Sequence, residues 1–278
     1  MERNTRKEME SLRDICFEIA KRTSTTFLNL GEAGKERVQS NRFGETTLRA
    51  DWECEEEVLK ILKKRGLNIR VISEEHGVVE IGGDEGKLLG ILDGIDGTRQ
   101  YVAEGSEYKS FGTLFGVFSN NDPLYKDCLA SCAVEHSTGR IFMAFKGQGC
   151  FVIEQGKTRR IKLEGPKEVS SKLRMFGDGK SLYTAQLSPF NVIETSSATQ
   201  NFLALLSGRG DVVSLYTLKG NLEPAVFYLM VKEAGGVMVR TDKGSDIGDE
   251  KYWEFGQGDH HIGYIAVASQ ELVKAILE

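Results

Sequence analysis

An α/β fold, in which an α+β half leads into a half of alternating helix and strand, is what this 278-residue sequence predicts. Helical apolar spacing opens the chain. Short apolar runs bounded by turn residues continue to about Gly156, and helices alternate with strands after it. No repeat or low-complexity linker intervenes, so Gly156 reads as a tight connection. It would join residues 1–155, an α+β domain carrying most of the acidic candidates, to residues 156–278, an α/β domain completing the site. The composition, 40% apolar and 28% charged, is that of a soluble globular protein. A net charge of −5 argues against a nucleic-acid partner, which calls for a basic surface. No run approaches the length of a membrane span, and the opening MERNTRKEMES is charged, unlike a signal peptide. Five scattered cysteines (Cys16, Cys54, Cys128, Cys132, Cys150) predict free thiols in a reducing, cytoplasmic compartment. Cys128 and Cys132 read as members of a buried strand, not as metal ligands.

Leu12, Ile15, Cys16, Ile19 and Ala20 recur at helical spacing and predict an amphipathic helix from about Arg6 to Leu30. A polar loop, Gly31 to Thr46, follows. A second helix starts near Asp51, read as its N-cap, carries Val58, Leu59 and Leu62, and stops at Gly66. Strands are predicted at Ile69–Ile72, Leu88–Leu92, Phe111–Phe118 and Cys128–Val134. His136-Ser137-Thr138-Gly139 turns into a strand at Arg140–Phe145, and Gly147 and Gly149 precede another at Cys150–Ile153. In the second half, helix Ala198–Leu206 ends at Gly208 and strand Asp211–Tyr216 follows. The apolar helix Pro224–Ala234 carries Pro in its first turn and ends at Gly235-Gly236. Strands Val237–Thr241 and Ile262–Ala268 and a closing helix, Gln270–Glu278, complete the chain.

The chemistry concentrates in Asp93-Gly94-Ile95-Asp96-Gly97-Thr98, where the apolar run Leu88–Leu92 stops. Two carboxylates at a strand end can converge on one point, and Gly-Thr at the start of a short helix offers N–H groups to an anion. Glu74-Glu75 ends an earlier strand. Carboxylates beside a phosphate cradle suit a hard divalent cation, which shares its coordination with substrate phosphate.

Four blocks, in order, resemble the inositol monophosphatase family, within the superfamily that includes fructose-1,6-bisphosphatase and the phosphoadenosine phosphate phosphatases. Thr46-Thr47-Leu48-Arg49-Ala50-Asp51 resembles its Thr-x-x-Asp segment, and Ser73-Glu74-Glu75-His76-Gly77 its Gly-Glu-Glu block. Asp93–Thr98 resembles Asp-Pro-Ile-Asp-Gly-Thr. Glu223 through Glu233-Ala234-Gly235-Gly236 resembles the helix that begins at a metal-binding Asp and ends Glu-Ala-Gly-Gly. The resemblance spans about Leu12 to the carboxyl end. It implies a layered α-β-α-β-α sandwich, usually a homodimer, and a lithium-sensitive, Mg2+-dependent phosphomonoesterase acting on a small sugar or polyol phosphate with two or three Mg2+ ions.

By the same resemblance, Glu74, Asp93 and the Ile95 carbonyl would hold a first ion, and Asp93, Asp96 and Glu223 a second. A looser third would use Glu74 and water. Thr98 would donate to Asp51 and orient the attacking water, while the N–H groups of Gly97 and Thr98 would hold phosphate oxygens. Ser197 and Thr199 fall where family members contact substrate, with capping of helix Ala198–Leu206 as the structural alternative.

Three positions depart from the pattern. Gly94 replaces Pro, which would loosen the turn without removing a ligand. Leu222-Glu223 replaces Trp-Asp; Glu still supplies a ligand oxygen, or alternatively only complements the helix dipole. Tyr216 stands seven residues before Glu223, where inositol-cleaving members carry a Glu that contacts ring hydroxyls. Fructose 1,6-bisphosphate and 3′-phosphoadenosine 5′-phosphate are rival substrates. No basic cluster obviously suited to a second phosphate is legible, although Arg99, Lys109 and Lys219 are candidates. A rival of another class is a metal- or phosphate-binding regulatory protein that keeps the fold without turnover. Gly177-Asp178-Gly179-Lys180-Ser181 lacks the first Gly of a P-loop and reads as a surface loop. His260-His261 reads as a loop pair, not a metal site.

Overall fold

The computed structural model describes residues 2–83, 87–103, 109–177, 190–257 and 261–277. Helix α1 (Glu2–Leu30) buries the predicted stripe of Leu12, Ile15, Cys16, Ile19 and Ala20. A short 3-10 turn (Gly31–Lys35) leads into a hairpin of β1 (Arg37–Ser40) and β2 (Thr46–Leu48), so the stretch expected as a polar loop is partly paired. Helix α2 (Arg49–Lys64) ends at Gly66, whose φ of 67° is the left-handed cap that glycine supplies without strain.

Strands β3 (Ile69–Ser73), β4 (Gly77–Ile81), β5 (Leu88–Asp96), β6 (Gly112–Phe118), β7 (Cys128–Glu135), β8 (Arg140–Phe145), β9 (Gly149–Glu154) and β10 (Lys157–Ile161) form one eight-stranded sheet. Its order is β10-β9-β8-β7-β6-β5-β3-β4, antiparallel except where β3 runs parallel to β5. The sheet continues past Gly156 through β10 to Ile161. A five-stranded sheet follows, ordered β12-β11-β13-β15-β14, from β11 (Arg174–Gly177), β12 (Asn191–Glu194), β13 (Val212–Tyr216), β14 (Val237–Arg240) and β15 (Gly263–Val267). Short or polar strands such as β4, β10 and β12 have no apolar run to announce them.

The core clusters define the layers. α1 and α2 bury Ile15, Ile19, Val58 and Leu62 against Val71, Leu92, Phe115 and Val117 on one face of the large sheet. Helices α4 (Ala198–Leu206) and α5 (Leu222–Glu233) fill the space between its other face and the small sheet. There Phe202 and Phe227 stack with centroids 4.4 Å apart. α6 (Gln270–Leu277) covers the outer face of the small sheet through Leu272, Val273 and Ile276. The result is the expected α-β-α-β-α sandwich. α5, buried nearly all round, is the kind of helix that only a central layer accommodates. Each fully buried Phe or Leu there contributes roughly 1.5–3 kcal/mol. Glu233, at the end of α5, accepts the N–H groups of Gly147 (2.6 Å) and Gly149 (2.7 Å), fastening the middle layer to the β8–β9 turn.

Cys128 and Cys132 fall into different core clusters because a bulge between them reverses the alternation of β7. Burial pushes both thiols up to about 12, as inert core groups. The segment at residues 178–181 and His260 lie outside the described residues; His261 faces the Thr217 carbonyl at 3.0 Å.

Candidate active site

Asp93 and Asp96 lie three residues apart on β5, and in a regular strand such residues point to opposite faces. A bulge removes the conflict. Asp93 pairs with Leu114 and Asp96 with Gly112, so Gly94 and Ile95 together oppose Thr113 alone. Both carboxylates then turn the same way. With Glu223, from the first turn of α5, they bring ligand oxygens within 4.8 Å of one another, largely out of solvent. Three carboxylates packed this closely repel one another, and hard oxygen donors at this separation are what a divalent cation requires. The donor set therefore fits Mg2+.

Glu74 follows β3, its N–H donating to the Leu92 carbonyl at 3.1 Å, and lines the same cleft outside that closest trio. The cleft, about 1470 Å³, also takes Asp93, Asp96, Gly97, Thr98, Ser197, Tyr216 and Glu223 into its walls. Ile95 buries its side chain beside α2, and its carbonyl lies 2.9 Å from the Thr98 hydroxyl oxygen. The same hydroxyl lies 3.1 Å from Asp51 Oδ1. Asp51 is not the N-cap expected from sequence. Leu48 holds that position, and Asp51, at N3, accepts the Leu48 N–H at 3.1 Å. The carboxylate reaches back one turn to the N-cap N–H, which is one half of a capping box. Burial, then the charges of Glu75 and Glu74, push the Asp51 carboxyl well above its usual range.

Gly97 takes φ 86° at the start of the short helix α3 (Thr98–Val102), and a Cβ there would stand 2.6 Å from Ser197 Oγ. Gly94 is needed for a different reason from the loosened turn expected of it. A Cβ at this position would lie 2.2 Å from the Asp51 carbonyl, so β5 and α2 approach too closely for any side chain. Ser197 caps α4, accepting the Gln200 N–H at 3.1 Å, and also donates to Asp96 Oδ2 at 2.9 Å. The Thr199 N–H donates to the same oxygen at 2.5 Å. Thr199 is fully buried and outside the cleft wall, so it orients Asp96 from behind. Tyr216 ends β13 at the cleft edge.

Glu55, Lys35 and Arg37 escaped the sequence reading. Buried Glu55 accepts from Ser73, from the Glu75 N–H at 3.3 Å and from His76 Nδ1 at 2.8 Å, clamping the turn that carries Glu74. Its position four residues after Asp51, on the same helix face, was the available signal. Burial opposes charge on His76, but hydrogen bonds to Glu55 and Glu56 outweigh it and raise its pKa; its ring stacks on Trp52 at 3.8 Å. Glu75, bonded to Thr47 and Asn41, is pushed up to about 7 by burial and then by Glu74 and Glu55. Lys35 and Arg37, from one stretch, and Arg99, at the start of α3, line the cleft. Lys109 instead donates to the Ala103 carbonyl, and the Lys219 side chain lies outside the described residues.

Two archaeal relatives are each named fructose-1,6-bisphosphatase/inositol-1-monophosphatase. The Thermococcus kodakarensis protein is 25% identical over 274 residues, 95% of both chains. The Methanocaldococcus jannaschii protein is 26% identical over 257 residues, 87% of both. Among solved structures, an inositol monophosphatase from Anabaena (Nostoc) superposes with a TM-score of 0.71 at 18% identity, covering 97% of this chain and 96% of its own. The extragenic suppressor protein suhB of Bartonella henselae gives 0.72 at 19% identity, covering 95% and 97%. At these identities the structural likeness speaks to the fold. The family itself is shown by a sequence model that matches residues 7–274: this chain belongs to the inositol monophosphatase family.

Proposed function

We propose that the chain hydrolyses a small sugar or polyol phosphate as a Mg2+-dependent phosphomonoesterase, with two or three ions held by Glu74, Asp93, the Ile95 carbonyl, Asp96 and Glu223. Membership of a phosphatase family makes it a phosphoric monoester hydrolase. The observation that carries the finer reading is the convergence of Asp93, Asp96 and Glu223 within 4.8 Å beside Thr98 and Asp51. Bound Mg2+ would supply Lewis-acid neutralisation of the charge developing on the phosphoryl and leaving oxygens. The chain's own part begins at Thr98, whose hydroxyl donates to Asp51 and so presents lone pairs to an attacking water. Asp51, made more basic by burial and by Glu75 and Glu74, is suited to receive the proton that Thr98 passes on. The N–H groups of Gly97 and Thr98 face the phosphate, while Ser197 and Tyr216 border the group it is attached to.

One observation favours a second substrate, fructose 1,6-bisphosphate. Lys35, Arg37 and Arg99 line the cleft and can meet another phosphate, and the archaeal relatives are named for both activities. A cytoplasmic homodimer is the setting proposed. The five buried, unbridged cysteines accord with a reducing compartment, and no described helix is long and apolar enough to cross a membrane. Phosphate release from inositol 1-phosphate, fructose 1,6-bisphosphate and 3′-phosphoadenosine 5′-phosphate, with and without Mg2+, tests the reading. Asp93→Asn should lower Mg2+-dependent release by at least ~10²-fold with the fold retained. No release from any substrate would favour the non-catalytic alternative.

A further inference from the structure

The bulge that aims Asp93 and Asp96 is fastened from behind by two residues outside every motif of the site. Thr113, the single residue opposing Gly94 and Ile95, places its hydroxyl 2.8 Å from the Gly94 carbonyl and 2.9 Å from His136 Nε2. A carbonyl can only accept, so the one hydroxyl proton goes to Gly94, and Thr113 in turn accepts from His136 Nε2–H. The Cys54 thiol faces the same hydroxyl. His136 is fixed on both sides: its backbone N–H donates to the Phe111 carbonyl at 3.0 Å, and its ring stacks on Phe27 with centroids 4.3 Å apart. Gly94 is also closed in by the Asp51 carbonyl. The bulge therefore has little freedom to slip.

We propose that Thr113, oriented by His136, is a positioning residue that latches the Gly94 carbonyl and thereby sets the separation of the Asp93 and Asp96 carboxylates. A bulge takes backbone groups out of the regular ladder, and a side chain that captures one of them fixes the twist it introduces. Should the latch open, β5 can relax toward regular alternation, which would turn one carboxylate away from the other. Neither residue touches the cleft, so the effect reaches the reaction only through the ligand geometry. The proposal rests on the reading of Asp93 and Asp96 as Mg2+ ligands.

Titration calorimetry with Mg2+ alone separates the two. Wild type, Asp93→Asn, Thr113→Val, Thr113→Ser and His136→Phe are compared, with the KM for Mg2+ and kcat measured alongside. Thr113→Val should weaken Mg2+ binding by ~10–100-fold, the range for residues that orient metal ligands, and raise the KM for Mg2+ more than it lowers kcat. Thr113→Ser, which keeps the hydroxyl, should bind within about twofold of wild type. His136→Phe keeps an aromatic ring to stack on Phe27 and removes the Nε2–H donor. It should shift binding in the same direction by a smaller factor, and it carries the test if Thr113→Val does not fold. Wild-type Mg2+ affinity in Thr113→Val or, in that event, in His136→Phe, with Asp93→Asn impaired, overturns the latch alone. Wild-type affinity in Asp93→Asn overturns the ligand reading and the latch with it.

Discussion

Gly94 illustrates how a single residue reports a contact that sequence cannot display. At this position the chain brings the Asp51 backbone within 2.2 Å of the place a Cβ would occupy. Gly94→Ala should therefore cost about 1–3 kcal/mol, as overpacking does, and should displace Thr98 from Asp51 as α2 and β5 are pushed apart. Denaturant unfolding measures the first effect and the rate of phosphate release the second. Asp51 makes a related point. Its capping role was legible as a short acidic side chain at a helix start, but its place at N3 was not, because the N-cap is an apolar Leu48. Glu223 was legible as a carboxylate at a helix start, and the structure seats it against Asp93 and Asp96.

Among the elements, long ones with strong periodicity were read closely: α1, α2, α5 and strands β5 to β8 fall within a few residues of their expected bounds. The β1–β2 hairpin and strands β4, β10, β11 and β12 were not, since short edge or polar strands are defined by their partners and not by an apolar run. The turn at His136 was read as a turn only, yet it closes the back of the bulge. Burial of its ring pushes His136 down to about 3. Its folded pKa is depressed below the unfolded value near 6.5, so the neutral ring's contribution is complete above that value. It falls away as pH drops from about 6.5 toward 3, where the unfolded chain binds a proton that the folded chain refuses. The unfolding midpoint of wild type should decline across that window more steeply than that of His136→Phe, as followed by circular dichroism from pH 7 to 3.5.

At the scale of the whole molecule, the carboxylates come from two layers of the sandwich. Asp93 and Asp96 ride on the large sheet, and Glu223 on the central helix layer that also packs against the small sheet. A cation held among them should consequently tie the layers together. Binding to the folded state alone gives about 2.7 kcal/mol at a hundredfold excess over Kd, an increase in Tm of about 5–10 °C for a chain of this size. Differential scanning calorimetry in saturating Mg2+, and again with excess chelator, should show that difference in wild type and a much reduced one in Asp93→Asn.

By itself the sequence determined the chemistry. The spacing Asp93-Gly94-Ile95-Asp96-Gly97-Thr98, the acidic pair at Glu74-Glu75 and the helix opening at Glu223 fix the acidic side chains and the Gly-Thr turn available to a site, and their order along the chain carries the family resemblance. The tertiary structure decided how those donors meet. Strand alternation would send Asp93 and Asp96 apart; the bulge against Thr113 turns them together, Ser197 and Thr199 steady Asp96 from a segment a hundred residues away, and Arg99 joins Lys35 and Arg37 in lining one cleft. The physical reason is that local sequence encodes the chemistry and periodicity of each segment. Which faces converge depends on register and layer packing, and those are properties of pairs of segments.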